Sequence, residues 1–147
     1  MYDDILIPTD GSETVDETLR HALPIAVDNG STVHALYVVD ARITTVPDEE
    51  SREKLTASLE AEGESAVATV AEAAADEGLE TVREIRRGTP SKTILDYATE
   101  NGVDLIVVGT HGKTAREKVT SLGSVSERVV DGASIPVLVV RNAGVEA

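Results

Sequence analysis

Cysteine, phenylalanine and tryptophan are absent from this chain, and aromatic residues make up 2% of it. Without cysteine there are no disulfides, zinc–thiolate sites or thiol nucleophiles. With so few rings, the core has to be assembled from valine, isoleucine, leucine and alanine. Lysine is scarce too. The 13 basic residues are nine arginines and four lysines, set against 27 acidic residues, for a net charge of −14. That sign disfavours nucleic acid and anionic membrane, both of which select a positive patch. No apolar run approaches the roughly 20 residues needed to cross a bilayer. The acidic start, Met1-Tyr2-Asp3-Asp4, does not read as a secretory signal. A cytoplasmic location is therefore expected. Excess carboxylate with few lysines also resembles proteins adapted to high salt, where counterions screen self-repulsion, so a halophilic source is expected.

What is present is an alternation of strand and helix patterns along 147 residues, a length that suits one domain, 1–147, with a frayed tail at 142–147. Asp4 to Pro8 is a short apolar strand. Ser12 is a plausible N-cap for a helix whose Val15, Leu19, Leu23 and Ala26 share a face. Pro24 should kink that helix or end it early, and Asn29-Gly30 closes it. Thr32 to Val39 is a second strand. After a polar connection, Ser51 to Asp76 is a long helical pattern with Leu55, Leu59, Ala66, Val70 and Ala73 as its buried stripe. Leu79 to Ile85, less apolar, is a third strand near an edge. Pro90 to Asn101 is a helix, Val103 to Val108 a fully buried strand, Val125 to Val130 a helix, and Ile135 to Val140 a fifth strand. Such alternation implies an α/β fold with a doubly wound five-stranded parallel sheet, of expected order 3-2-1-4-5. Ligands bind such sheets beyond the carboxyl ends of the strands, where the winding reverses. That reversal would bring Asp10, after strand one, opposite Gly109, after strand four.

Gly109-Thr110-His111-Gly112, followed by Gly123-Ser124, then reads as a phosphate cradle. Glycines let backbone approach a ligand closely, and a helix opening at Ser124 offers free N–H groups to an anion. His111 lies inside this loop and could contact a phosphate. His21 and His34 read as structural. Gly112-Lys113-Thr114 imitates a P-loop, but that motif needs glycine at position 107, which is valine. A phosphoreceiver reading fails as well, because the third strand ends Arg86-Arg87-Gly88 with no acceptor aspartate.

In order, Ile5–Ser12, Tyr37–Asp40, Gly88-Thr89-Pro90, Asp104–Gly112, Gly123–Val129 and Pro136–Val140 resemble the universal stress protein family, specifically its nucleotide-binding branch. The resemblance covers nearly all of residues 2–141; with the acidic, lysine-poor composition, a halophilic archaeon is the expected source. It implies an adenine nucleotide alpha hydrolase-like fold and ATP as ligand, with Mg²⁺ accompanying it. Pro8, Thr9 and Asp10 would lie at the nucleoside, Asp10 on the ribose or adenine side, and Val38 would hold adenine through its main chain. Gly109 and Gly112 would admit the phosphates; Gly123, Ser124 and Val125 would bind them. The family pattern Gly-x2-Gly-x9-Gly-(Ser/Thr) is met except that ten residues, Lys113 to Leu122, separate Gly112 from Gly123. The resemblance also implies a homodimer through the strand at 135–140. Three functions follow as alternatives: a stress-response nucleotide sensor, a slow Mg-dependent ATPase or phosphotransferase, and a dimeric interaction protein without nucleotide.

Overall fold

The structure, a computed structural model, describes residues 1–41, 45, 47–110 and 124–141. Five strands form one sheet: β1 (Asp4–Pro8), β2 (Thr32–Asp40), β3 (Glu80–Gly88), β4 (Leu105–Gly109) and β5 (Val137–Val140). Four helices connect or flank them: α1 (Thr14–Asn29), α2 (Glu49–Asp76), α3 (Pro90–Glu100) and α4 (Ser124–Gly132). The order is β3-β2-β1-β4-β5 with every pair parallel, as the alternating pattern predicts.

Strand periodicity sorts the apolar residues onto two faces. Ile5, Ile7, Ala35, Tyr37, Leu105, Val107 and Val140 join a core with Leu19 and Ala22 of α1 and with Val67 and Val70 of α2. Leu6, Leu36, Ile106 and Val108 point to the opposite face and pack with Ile94, Tyr97 and Ala98 of α3 and Val129 of α4. Both faces are covered by helices, which is why β1 and β4 read as continuous apolar runs.

Local chemistry explains most boundaries, and tertiary context moves several. Gly30, at φ 62°, ends α1 by donating its N–H to Ala26 and Val27 carbonyls, and Ser31 N–H returns to Ala26. Pro24 does not end α1. It lies on the solvent face, with Pro24 and Arg20, the residue whose carbonyl loses its usual partner, both exposed. Ser12 is not the N-cap: Glu13 occupies that position without a side-chain hydrogen bond, and Ser12 Oγ pairs with Thr14 Oγ1 at 2.7 Å. Helix α2 begins at Glu49, because the Asp48 carboxylate caps it by accepting from Ser51 N–H at 3.1 Å. Its buried stripe is Gly63, Ala66, Val67, Val70, Ala71 and Ala74, while Leu55 is exposed. The first turns of α2 extend beyond the sheet they were expected to cover.

His34 is structural, as its place in β2 suggests. Its Nδ1 meets the Tyr97 hydroxyl at 2.7 Å and its Nε2 meets Asp4 Oδ1 at 2.9 Å, tying β1, β2 and α3 together. The Arg86 guanidinium lies 4.9 Å from the Tyr97 ring centre and pairs with Glu100 and Glu84.

Candidate functional site

The sheet opens where its winding reverses. β1 pairs with β2 along its whole length, from Asp4↔Thr32 to Pro8↔Leu36. With β4 it pairs only at Ile5↔Leu105 and Leu6↔Ile106. Past that point no further pairing joins the two strands, and Pro8 and Val108-Gly109 border a crevice at the carboxyl end of the sheet. This is the position at which open α/β sheets bind ligands.

A cavity of about 190 Å³ fills the crevice. Pro8, Thr9 and Asp10 after β1, Val38 of β2, Gly109 of β4 and Val125 of α4 all line it. The structure thus brings together six of the ten residues singled out from the sequence. Ser124 stands at the start of α4, exposed and outside the walls. His111, Gly112 and Gly123 lie outside the described residues.

Several wall residues escaped the sequence reading: Val15 and Thr18 of α1, Tyr37 of β2, Pro90 and Ile94 of α3, and Ser126 of α4. Tyr37, Pro90 and Ser126 had a signal, lying in the Tyr37–Asp40, Gly88-Thr89-Pro90 and Gly123–Val129 stretches. The others occupy ordinary core-facing positions, and nothing in their periodicity separates a cavity wall from a packed core.

Each loop is held by its own polar groups. Thr9 N–H donates to the Leu36 carbonyl at 2.9 Å, prolonging the β1–β2 ladder past Pro8. Gly11 N–H donates to Thr9 Oγ1 at 3.1 Å, and Ser12 N–H donates to Asp10 Oδ1 at 2.9 Å. This local turn leaves the second oxygen of Asp10 for a ligand. Gly11 adopts φ +84°, a conformation that favours glycine. Across the cavity, Ser126 Oγ donates to the Gly109 carbonyl at 3.2 Å, fastening the first turn of α4 to the end of β4. Gly109 is required there for packing as well as access, since a Cβ at this position would collide with Thr18 Oγ1.

Electrostatically the described walls are apolar and acidic. Burial, then the carboxylates of Glu62 and Asp10, push the Tyr37 phenol above its ordinary value near 10. Val125 and Ser126, in the first turn of α4, line the same crevice, so the positive end of that helix dipole lies at the cavity. Among the described residues no three histidine or carboxylate groups converge to hold a metal ion, and no helix is long and apolar enough to cross a membrane. The arrangement suits a ligand with a neutral, flat part and a hydroxyl for Asp10, and with an anionic part near α4. A cavity of about 190 Å³ is smaller than the roughly 300–1,000 Å³ of complete small-molecule sites, so a ligand of that class would extend beyond these walls.

Comparison with known proteins agrees with this geometry. The family model described as the universal stress protein family matches residues 1–141. Universal stress protein MJ0531 of Methanocaldococcus jannaschii is 41% identical over 142 residues, spanning 96% of this chain and 83% of that protein. The solved structure of MJ0577 from the same organism superposes with a TM-score of 0.83 at 34% identity, covering 95% of this chain and 96% of the other. A universal stress protein from Archaeoglobus fulgidus, solved in complex with dAMP, shares the fold at a TM-score of 0.71 and 22% identity, covering 95% of this chain and 98% of that one. With the doubly wound sheet, the reversal-point cavity and a family match over almost its whole length, this chain belongs to the universal stress protein family.

Proposed function

We propose that the cavity between β1 and β4 binds an adenine nucleotide, ATP in its physiological form, and that the protein acts in the stress response by occupancy rather than by turnover. The observation that carries this reading is the convergence of Asp10, Val38, Gly109 and Val125 on one crevice at the reversal of the sheet. Adenine would enter the apolar part beside Val38, and a ribose hydroxyl would donate to Asp10. The phosphates would extend toward the α4 N-terminus and the 111–123 segment, where the resemblance places Gly112, Gly123 and Ser124. That a more distant member of this fold was solved with dAMP supports a base-sized pocket here.

Magnitudes require the parts to act together. Micromolar affinity corresponds to roughly 8 kcal/mol, while a helix N-terminus contributes about 0.3–1 kcal/mol to an exposed anion. Adenine burial and backbone hydrogen bonds therefore have to supply most of the binding, against a protein of charge −14. An accompanying Mg²⁺ would be held by the phosphates, since the described walls offer no cluster of metal ligands. Screening by molar KCl would ease both the self-repulsion of the chain and its repulsion of ATP, in keeping with a halophilic, cytoplasmic setting.

A homodimer through β5 is part of the same proposal. β5 forms the sheet edge with Val137, Leu138 and Val139 only half-buried, and an apolar edge of this kind requires a cover. Light scattering in molar KCl should give twice the chain mass; a monomer removes the dimer.

The test of function is to denature freshly purified protein, identify released nucleotide by mass spectrometry, and repeat after incubation with Mg-ATP. Retained ATP supports the occupancy reading. Conversion to ADP favours an enzyme, and no bound nucleotide at low or molar salt defeats the proposal.

A further inference from the structure

Tyr37 is the one aromatic residue in the cavity wall among the described residues, and it does more than fill space. Its side chain leaves β2 on the face covered by α2. There the ring lies flat against Gly63: a Cβ at that position would sit 2.6 Å from Tyr37 Cδ2. Glycine in the interior of a 28-residue helix is unfavourable in itself, so its presence opposite the ring is a matched pairing of small with large.

One residue earlier on α2, Glu62 reaches the same place from the other side. Tyr37 Oη donates to Glu62 Oε2 at 3.3 Å. The same carboxylate oxygen borders Gly11, where a Cβ would come within 3.3 Å of it. Glu62 therefore hydrogen-bonds Tyr37 of the cavity wall and flanks the glycine of the loop that carries Asp10, on the side where a Cβ would project. Behind that loop, on the side facing α2, lies a second hollow of about 190 Å³ between Gly11, Ser12, Ala66 and Thr69. The loop has space on both sides, so beyond its own turn hydrogen bonds the side chain flanking Gly11 bears on where it rests.

We propose that Glu62, acting through Tyr37, is a positioning residue that braces the Gly11 turn against α2 and so holds Asp10 toward the nucleoside end of the cavity. This rests on the nucleotide reading of that cavity.

Charge alone would act with the opposite sign on ATP: removing a carboxylate near the site should tighten an anion. Adenosine, which is uncharged, separates the two effects. The experiment measures Kd for adenosine and for ATP by calorimetry in molar KCl, with wild-type protein, Glu62→Ala, Tyr37→Phe and the double variant. Loss of one hydrogen-bonded contact should weaken adenosine about three- to tenfold in each single variant. Because the two residues act as one unit, the double variant should be no weaker than the singles. Amide resonances of the ligand-free proteins supply a second readout. Gly11 should move in both single variants, with Gly30 and Gly78, which have nothing within 4 Å of a Cβ position, as unmoved controls.

Adenosine affinity unchanged in the variants, additive losses in the double variant, or an unmoved Gly11 resonance would each overturn the positioning role. If wild-type protein binds neither adenosine nor ATP, the nucleotide reading itself fails, and the Gly11 resonance still decides whether Glu62 and Tyr37 brace the turn.

Discussion

Replacing Gly63 with alanine sets two effects of opposite sign against each other, and the structure decides between them. In an ordinary helix interior the change gains about 1 kcal/mol, because alanine is the better helix former. Here the new Cβ would lie 2.6, 3.0 and 3.1 Å from Tyr37 Cδ2, Cγ and Cε2. Three atoms of one rigid ring are struck at once, and the ring cannot swing aside freely: Tyr37 is 5% exposed and anchored by Glu62. Overpacking of this kind costs about 1–3 kcal/mol, and stretching the Tyr37–Glu62 bond adds about 0.5–1.5 kcal/mol. The clash outweighs the propensity gain, leaving a net loss of about 0.5–3.5 kcal/mol. For a chain of this size, that lowers Tm by about 1–14 °C. Thermal and urea unfolding in molar KCl, followed by far-UV circular dichroism, measure it. A Tyr37→Leu background removes the ring, so there the same Gly63→Ala change should become neutral or stabilising. Stabilisation by Gly63→Ala in the wild-type background would refute the reasoning.

Three further outcomes are expected. Gly109→Ala should destabilise the fold by about 1–3 kcal/mol, because the methyl meets Thr18 Oγ1; Thr18→Ala should recover part of that loss in urea unfolding. Tyr97→Phe removes the hydroxyl facing His34 Nδ1 and leaves a buried ring nitrogen without its partner, costing about 1–3 kcal/mol by the same assay. Alkaline stability should depend on both buried phenols. Burial, reinforced by Glu62 at Tyr37 and by Glu84 at Tyr97, holds their pKa above the unfolded value. The unfolded chain therefore releases these protons first, and the stability present below about pH 10 is lost as pH rises beyond it. The Tyr37→Phe/Tyr97→Phe variant should show a shallower fall in urea midpoint over that range, and an identical fall would contradict it.

The architecture was legible because strand order follows from local signals plus general rules of connection. Ile5-Leu6-Ile7 and Leu105–Val108 are too apolar for anything but a doubly covered sheet, and Gly30, Gly78 and Gly102 mark the turns that separate the elements. Asp10 and Gly109 were readable as partners, although 99 positions apart in the chain, because the reversal of a doubly wound sheet puts them side by side. Charge, the missing cysteines and the absence of long apolar runs were complete in the sequence, being properties of composition.

What depended on distance between side chains was not readable. Leu55 matched the helical period of α2 and still lies in solvent, because the period says which face a residue occupies and nothing about whether the sheet reaches that far. Pro24 looked like a stop, but only the packing of α1 shows that its face is the wet one. Val15, Thr18 and Ile94 have the pattern of core residues, and it is the end of pairing between β1 and β4 beyond Leu6 that turns their surroundings into a cavity. Gly63 had no turn or motif to explain it until Tyr37 was seen against it. Periodicity and composition are one-dimensional and so belong to the sequence. Clearance, register and the meeting of Glu62 with Tyr37 beside Gly11 arise only when separate elements pack, and the tertiary structure alone decides them.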